Sequence, residues 1–509
     1  MCACGEQYCH EWSQLLLIKN VEEIQQLWNH CETSPKENEE MDSLDECDRT
    51  LCQIREKRNE IFVSMENALN LLNEIQELIN EQLKKWKHQQ IQMNSTSPSE
   101  LDGIQSWLNE LFSCVMDIRT LFKRIYSSHV HANVIDGSEE KFNEMIMNSL
   151  KNLIKSSVIV EKQPPKVIRK DIGFDASVRV LITQFSNVSN TIRVSVSILS
   201  ESQSIIQQQQ QQSLSESSGC VINNTGDMKF QPDNGHLTCN LKRLTVKGVT
   251  RKDENELPTN DFVFLFRLKF QMNDILIDIW TMSTPVVVYT FSSQASRACA
   301  TVLWRNAFSA NDGNPFSVVD KVPWSQLASI LNEQFTTQAG RSLTKEHLDH
   351  LCDKLISKPS NTEDNLISFY QFCVDPLPNR KFTFYEWFYS IMEITRKHLR
   401  DAWQSGLIAG FIKRKKAEEM LEKCLPGTFL LRFTDTILGG VSVAVVEKSN
   451  GKSIVSMLQP YADYEFDSRR PSIGDQIKDL KQCLYLYPDI PKVIAFGLED
   501  THSASTLIP

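Results

Sequence analysis

The sequence predicts a multidomain α+β chain: an antiparallel four-helix bundle, an all-β sandwich or barrel, a helical stretch, and a small closing module built on a buried strand. Three observations carry this reading. Between Leu51 and Gln90 apolar residues recur at the three–four spacing of a coiled-coil seam. Beyond Pro164-Pro165 the period changes to strict alternation in several short runs. Near the end an apolar segment, Phe429 to Phe433, encloses a single arginine, Arg432.

The bulk properties set the class. A chain of 509 residues has room for several cores. Charged residues make up 23%, mean hydropathy is −0.31, and no run of about eighteen apolar residues marks a membrane span. The amino terminus, MCACGEQYCHEW, lacks the basic and apolar segments of a signal peptide. The fourteen cysteines form no spaced framework, the pattern of reduced thiols. Cys2, Cys4, Cys9 and His10 have no second paired cluster, so no metal site and no cofactor is expected. Net charge is −10, unevenly spread: residues 1–165 carry 16 basic and 27 acidic groups, residues 166–300 carry 14 and 12, and residues 301–509 carry 24 and 25.

In the first section apolar residues at 54, 61, 65, 68, 72, 75, 79 and 86 define the seam, interrupted by Arg58 and Gln82. With no proline or glycine inside it, this predicts one helix of about forty residues, roughly 60 Å long. After Pro98, Leu101, Ile104, Leu108, Leu111, Val115, Ile118, Phe122 and Ile125 share one face of a second helix. Glu139 to Val160 reads as a third, and Glu11 to His30 as a shorter one. Four such helices make a bundle whose acidic outer surface suits partner docking as well as solubility.

The middle section alternates: Val178, Val180, Ile182; Ile192, Val194, Val196, Ile198; Phe262, Phe264, Phe266, Leu268, Phe270; Ile275, Ile277, Ile279; then Val286 to Val288. The tract Gln207 to Gln212, beside serine-rich sequence, reads as a disordered loop. Lys242, Arg243, Lys247, Arg251 and Lys252 gather around Thr245, with Gly248 allowing a turn. On loops at one end of a sandwich such a cluster neutralises DNA phosphates; taken alone, it reads as a solvated hairpin.

From Ala300 to about Trp403 the chain reads as helical. Asn311 to Asn314 lacks the ligand series of a calcium loop and reads as a turn. His398-Leu-Arg-Asp401 has no glycine-rich loop or DFG partner, and no nucleophile–histidine set or paired carboxylates stand at a recognisable motif, so the chain is not expected to be an enzyme.

The chemistry concentrates between Leu425 and Val445. A lone guanidinium in an apolar strand is costly to desolvate without an anion. Thr434 and Thr436 follow Arg432 with two hydroxyls on alternate positions. A planar fork of N–H donors beside hydroxyls suits a phosphate dianion. The alternative is an internal Arg432–Asp435 pair, and the strand by itself does not choose between them.

Longer motifs choose. Trp403-Gln-Ser-Gly-Leu-Ile-Ala-Gly-Phe-Ile-Lys-Arg414, then PGTFLLRF, LYPDIPK and AFG, resembles the SH2 domain of the signal transducers and activators of transcription, the STAT family. Leu101-Asp-Gly-Ile-Gln-Ser-Trp107 and Trp86 to Gln90 resemble its coiled-coil domain. Glu161-Lys-Gln-Pro-Pro165, KRLTVKGVTRKD and Thr284-Pro-Val-Val-Val288 resemble its DNA-binding domain. Pro323-Trp-Ser-Gln-Leu, Leu343-Thr-Lys-Glu-His-Leu and Phe382-Thr-Phe-Tyr-Glu-Trp-Phe388 resemble its linker domain. The resemblance implies a coiled-coil bundle over 1–162, an Ig-like β-barrel DNA-binding domain over 163–292, an α-helical linker over 293–402, an SH2 domain over 403–498 and a short tail over 499–509. It implies that Arg432 grips the phosphate of phosphotyrosine, with Arg414 where the family usually has a helix lysine and Thr434 and Thr436 in place of its serines. It implies DNA contact by Lys242, Arg243, Thr245, Lys247, Arg251 and Lys252. Phe291 departs from the pattern, standing where relatives commonly carry asparagine or histidine, which leaves base preference open. The implied partners are double-stranded DNA, phosphotyrosine on receptor tails, a STAT-type partner protomer and an upstream tyrosine kinase. The implied location is the cytoplasm, with movement to the nucleus on activation. On this reading no amino-terminal cooperative domain is expected before the bundle, and the residues after Gly497 include no tyrosine. The expectation on that basis is a chain that docks on phosphorylated receptors without forming the reciprocal dimer with itself, which makes an inhibitory or adaptor form the alternative reading.

Overall fold

The computed structural model describes residues 42–92, 98–129, 138–184, 192–210, 217–249, 261–272, 275–308, 316, 319–356, 365–449, 452–466 and 468–497. They fall into two compact units, the first over 1–166, 170–254 and 261–286 and the second over 167–169, 255–260 and 287–509. The cysteines and histidine near the amino terminus, the helix expected at Glu11 to His30, the turn at Asn311 to Asn314 and the tail over 499–509 lie outside the described residues. Among the described residues no helix is long and apolar enough to cross a membrane.

The first unit begins with three helices, α1 (Asp42–Gln92), α2 (Pro98–His129) and α3 (Ser138–Ser156). The face expected on α2 is buried at every position. The seam of α1 departs from expectation. It runs Ile61, Met65, Leu69, Leu72, Gln76, Ile79, Leu83, Trp86, Gln90, so Leu69 and Gln76 take the places assigned to Ala68 and Ile75. The bulkier Leu69 fills the interface better than Ala68, and the one-residue shift also removes Gln82 from the seam. Phe62, Phe122 and Phe142 tie the three helices together, with ring centroids 5.5 to 6.1 Å apart. Helix α3 stops at Ser156 rather than continuing to Val160. The β-branched run Val158–Val160 instead forms a strand and pairs with Val178–Val180.

The strands of this region are β1 (Val158–Lys162), β2 (Val167–Arg169), β3 (Gly173–Val180) and β4 (Arg193–Ser200), then, after helix α4 (Glu201–Gln210), β5 (Gly219–Ile222), β6 (Thr225–Asp227), β7 (Lys229–Gln231), β8 (His236–Val249), β9 (Asp261–Met272), β10 (Ile275–Met282) and β11 (Val286–Tyr289). One sheet of the first unit has the order β1-β3-β8-β5, with β7 also on β8. In the other, β9 pairs antiparallel with β4 and β10, and β6 lies beyond β4. Phe174 of β3 meets Phe264 of β9 at 5.3 Å, which places the core between the sheets. The alternation read in β9 is only half of its burial: Val263 and Leu265 are buried as fully as Phe262, Phe264 and Phe266.

The glutamine tract explains part of this. Gln207 to Gln210 form the end of α4 rather than a disordered loop, Gln211 and Gln212 lie outside the described residues, and α4 packs on β4 and β9. Gln203, Ser204 and Gln207 are buried, and Gln203 accepts a hydrogen bond from Ser218 at 2.5 Å. Glutamine is a competent helix former, and its amide satisfies the polar groups it meets.

Within the second unit β2 and β11 form a parallel pair. The chain continues as α5 (Ala295–Phe308), β12 (Lys321–Pro323), α6 (Trp324–Ala339), α7 (Lys345–Leu355), β13 (Leu366–Ser368), α8 (Phe369–Cys373), α9 (Phe384–Ile394), a π turn over Thr395–Leu399, and α10 (Arg400–Gln404). Then follow α11 (Arg414–Leu421), β14 (Thr428–Thr434), β15 (Gly440–Ser449), β16 (Lys452–Met457), α12 (Ile473–Lys478), β17 (Tyr485–Leu486), β18 (Ile490–Pro491) and α13 (Lys492–Phe496). The last five strands form one sheet of order β16-β15-β14-β17-β18. One aromatic core runs without a break from the helical stretch into this sheet. Phe335 of α6 and Trp403 of α10 both reach Phe433 of β14, and Phe411 stacks against Phe388 of α9.

Candidate functional site

Strand β14 is the central strand of the last sheet and is buried along its whole length. Its two faces have different neighbours. Phe429, Leu431 and Phe433 point into the aromatic core, while Leu430 packs with Ile412, Ala417 and Leu421 on the side of α11. Alternation places Arg432 and Thr434 on that second face. The segment before α11 runs alongside: Ala409 N–H donates to Leu431 O at 2.8 Å and Phe433 N–H to Gly410 O at 2.9 Å. Gly410 has φ of +83°, and a Cβ there would meet His347 Nε2 at 2.7 Å, so only glycine fits this close approach.

Arg432 is 7% exposed. Its Nε donates to Ile412 O at 3.2 Å. Among the described residues no carboxylate lies within ion-pair distance of its guanidinium. Burial pulls its pKa below the ordinary value, the expected cost of a cation held out of water, although the Asp435 charge opposes the shift. The internal Arg432–Asp435 pair left open by the sequence is not formed. Asp435 instead pairs with Lys354 of α7, its closest partner, and with Arg380, whose Nη2 stands 3.7 Å away. Burial acts to raise Asp435, but the Lys354 hydrogen bond and the two positive charges outweigh it and leave the carboxyl below its usual range. Thr434 and Thr436 share a hydroxyl–hydroxyl hydrogen bond of 2.9 Å; Thr434 is buried and Thr436 exposed. Trp387 Nε1 donates to Thr434 O at 2.7 Å and fixes the end of the strand.

Arg414 opens α11 on the exposed side, its Nε donating to Glu418 at 2.8 Å. Lys413 pairs with Asp353 at 2.6 Å and Lys416 with Glu346 at 3.6 Å. A cleft of about 300 Å³ beside Ile412 and Lys413 is lined by Glu346, Asp349, Asp353 and Glu419 as well as lysines. Its charge is mixed, and Arg432 lies behind its wall, bonded to the main-chain oxygen of the lining residue Ile412. His350, in the same wall, is buried, and its Nδ1 meets no partner among the described residues. Burial first, then the Lys354 and Arg432 charges, push it down to about 4, so it is neutral at physiological pH.

Lys354, Arg380 and His350 escape a reading of the sequence. They stand 81, 55 and 82 residues before the acid or arginine they face, and no local pattern links them.

The basic residues of the middle section occupy strand β8, not loops. Lys242, Arg243 and Lys247 are exposed, whereas Thr245 is buried and donates to Arg243 O at 3.1 Å. Arg243 has φ of +54° at a bulge where the register with β3 slips, and its N–H donates to Asp175 at 3.0 Å. Gly248 makes no turn; it stays within β8 opposite Cys220. Lys247 pairs with Asp171 at 3.0 Å. Arg251 and Lys252 lie outside the described residues. In the second unit Phe291 is 66% exposed, just before a 3₁₀ turn at Ser292–Gln294.

Four family descriptions match the chain in succession: STAT transcription factor, coiled-coil domain, over residues 9–154; STAT protein, DNA binding domain, over 162–289; signal transducer and activator of transcription, linker domain, over 311–388; and SH2 domain over 407–470. The chain is 33% identical over 460 residues to the signal transducer and transcription activator of Anopheles gambiae, covering 87% of this chain and 63% of that protein. It is 34% identical over 460 residues to the protein of the same name from Drosophila melanogaster, covering 86% and 59%. The chain therefore spans about three fifths of the length of these relatives. With coiled-coil, DNA-binding, linker and SH2 domains following one another in order, the chain belongs to the family of signal transducers and activators of transcription.

Proposed function

We propose that this chain is a signal-responsive, sequence-specific DNA-binding transcription factor whose SH2 domain binds phosphotyrosine on receptor tails and on a STAT-type partner protomer. The observation that carries the reading is Arg432: a desolvated guanidinium in a central strand, without a carboxylate partner among the described residues. Arg432 supplies the bidentate contact, Thr434 and Thr436 bring hydroxyls to the same end of β14, and Arg414 adds charge from the rim. Lys242, Arg243 and Lys247 on β8, with Arg251 and Lys252 following, hold DNA phosphates. A dimer joined through SH2 domains presents two such strands to two half-sites. An upstream tyrosine kinase supplies the modification, and the protein moves from cytoplasm to nucleus on activation. The relatives named as signal transducers and transcription activators support this, as does the order of the domains.

The test is a paired titration of one peptide mixture, randomised around a central tyrosine, with and without its phosphate. Binding of the phosphorylated mixture alone is expected. Equal binding of both, or of neither, contradicts the reading.

A further inference from the structure

Asp435 directly follows β14, three residues beyond Arg432, which makes it the nearest acid in sequence to a buried guanidinium that has no carboxylate partner among the described residues. It is nevertheless held elsewhere. Lys354, from α7, takes the carboxylate directly, and Arg380, from the connection between α8 and α9, approaches its other oxygen at 3.7 Å. Arg380 also donates through Nε to the main-chain oxygen of Asp435, so both the side chain and the backbone of this residue are tied down. All three partly buried side chains belong to a single cluster, and both cations come from segments that precede the SH2 domain.

We infer that Lys354 and Arg380 are positioning residues for phosphate recognition: by holding the Asp435 carboxylate they keep an internal competitor off Arg432. The inference rests on the phosphotyrosine reading of Arg432. A carboxylate is a weaker but chemically similar ligand for a guanidinium fork. Tethered three residues away, it acts at an effective concentration on the order of millimolar, which a dilute phosphopeptide has to overcome. Two cations that engage it first remove that competition before any ligand arrives. The arrangement makes the helical region before the SH2 domain part of the binding apparatus, although neither cation needs to touch the phosphate.

The experiment uses the whole chain and compares wild type with Lys354→Met/Arg380→Met, with Asp435→Asn, and with the triple variant. The probe is the phosphorylated peptide mixture described above, and circular dichroism checks folding. The double variant is expected to bind about tenfold or more weakly. Adding Asp435→Asn is expected to restore affinity to within about threefold of wild type, and Asp435→Asn alone to leave it there. A purely structural role, or direct contact of the cations with phosphate, predicts no rescue. A triple variant as weak as the double one therefore overturns the inference, as does a double variant that binds like wild type. A second arm needs no phosphate ligand: the rate at which phenylglyoxal modifies Arg432, read by mass mapping. That rate is expected to fall in the double variant and recover in the triple; unchanged rates overturn the inference. Failure of wild type to bind the phosphorylated mixture removes the proposed function, and the labelling arm still decides the positioning claim.

Discussion

Replacing Lys242 and Lys247 together by glutamine is expected to flatten the salt dependence of DNA binding. Both side chains are exposed on β8, so the change leaves the core intact. Every phosphate that a lysine no longer neutralises lowers the slope of log K against log salt by about 0.9, so two of them lower it by about 1.8. Over a fourfold rise in salt, from about 50 to 200 mM, wild type then loses roughly tenfold more affinity than the variant. The structure adds a second arm. Lys247 is already paired with Asp171 at 3.0 Å and must exchange that acid for a phosphate. Because such an exposed pair is worth about 0–1 kcal/mol, Asp171→Asn is expected to tighten binding by no more than about fivefold. The assay is fluorescence anisotropy with a labelled duplex recovered from a random-sequence pool, titrated at four salt concentrations. A slope unchanged in the double variant means that β8 presents a solvated face to the medium and does not touch DNA.

Three further outcomes follow from buried groups and from one exposed ring. Arg179 is 1% exposed and donates to Asp102 at 2.8 Å, Glu161 at 3.1 Å and Gln105 at 2.7 Å. Arg179→Ala is expected to cost the first unit about 1.5–3 kcal/mol, because the two carboxylates it leaves keep access to water, and Arg179→Met less because it refills the buried space; hydrogen exchange of β3 amides measures it, and a cost below about 1 kcal/mol for alanine contradicts the assignment. His350 has a folded pKa of about 4 against an ordinary 6.5, so the unfolded chain binds the extra proton between those values. Its contribution to stability is therefore complete above pH 6.5, falls by about 1.4 kcal/mol per pH unit as pH drops toward 4 and levels off below; His350→Gln should remove that slope from urea unfolding of the second unit, and an unchanged slope would place the proton elsewhere. Phe291, with no hydrogen-bonding group to read a base edge, predicts relaxed discrimination at one base position, and a sharply read position in a random-pool selection that Phe291→Asn leaves unchanged would contradict its role.

The architecture is legible where a pattern is local. The α2 face, the alternation of β4 and the apolar run of β14 each declare themselves within about ten to twenty-five residues, because helix and strand periods are set by the backbone, whereas the residues between Val178 and Ile182 are buried on both sides. Sequence patterns fail where packing across the chain decides. Leu69 displaces Ala68 from the α1 seam because the neighbouring helices, not α1 itself, select the face. Gln207 reads as loop because its partner, Arg267, lies 60 residues away on β9. Val158–Val160 satisfies a helical pattern equally well until β3 offers it a ladder. The binding site divides in the same way. Arg432, Thr434 and Thr436 stand together in sequence and are visible there, whereas Lys354 and Arg380, which decide where the Asp435 charge goes, come together only in three dimensions.

The central claim is that Arg432 reads a phosphate through its fork of donors. Calorimetry with a phosphotyrosine peptide on wild type, Arg432→Ala and Arg432→Lys tests it most directly. Removing a charged, hydrogen-bonded partner from a desolvated site costs about 2–5 kcal/mol, so alanine is expected to weaken binding by about thirtyfold or more. Lysine is expected to fail nearly as badly, because it keeps the charge and loses the fork. Arg414→Ala, on the exposed side of α11, is expected to cost less. Wild-type affinity in either Arg432 variant, with the fold intact by circular dichroism, would contradict the account.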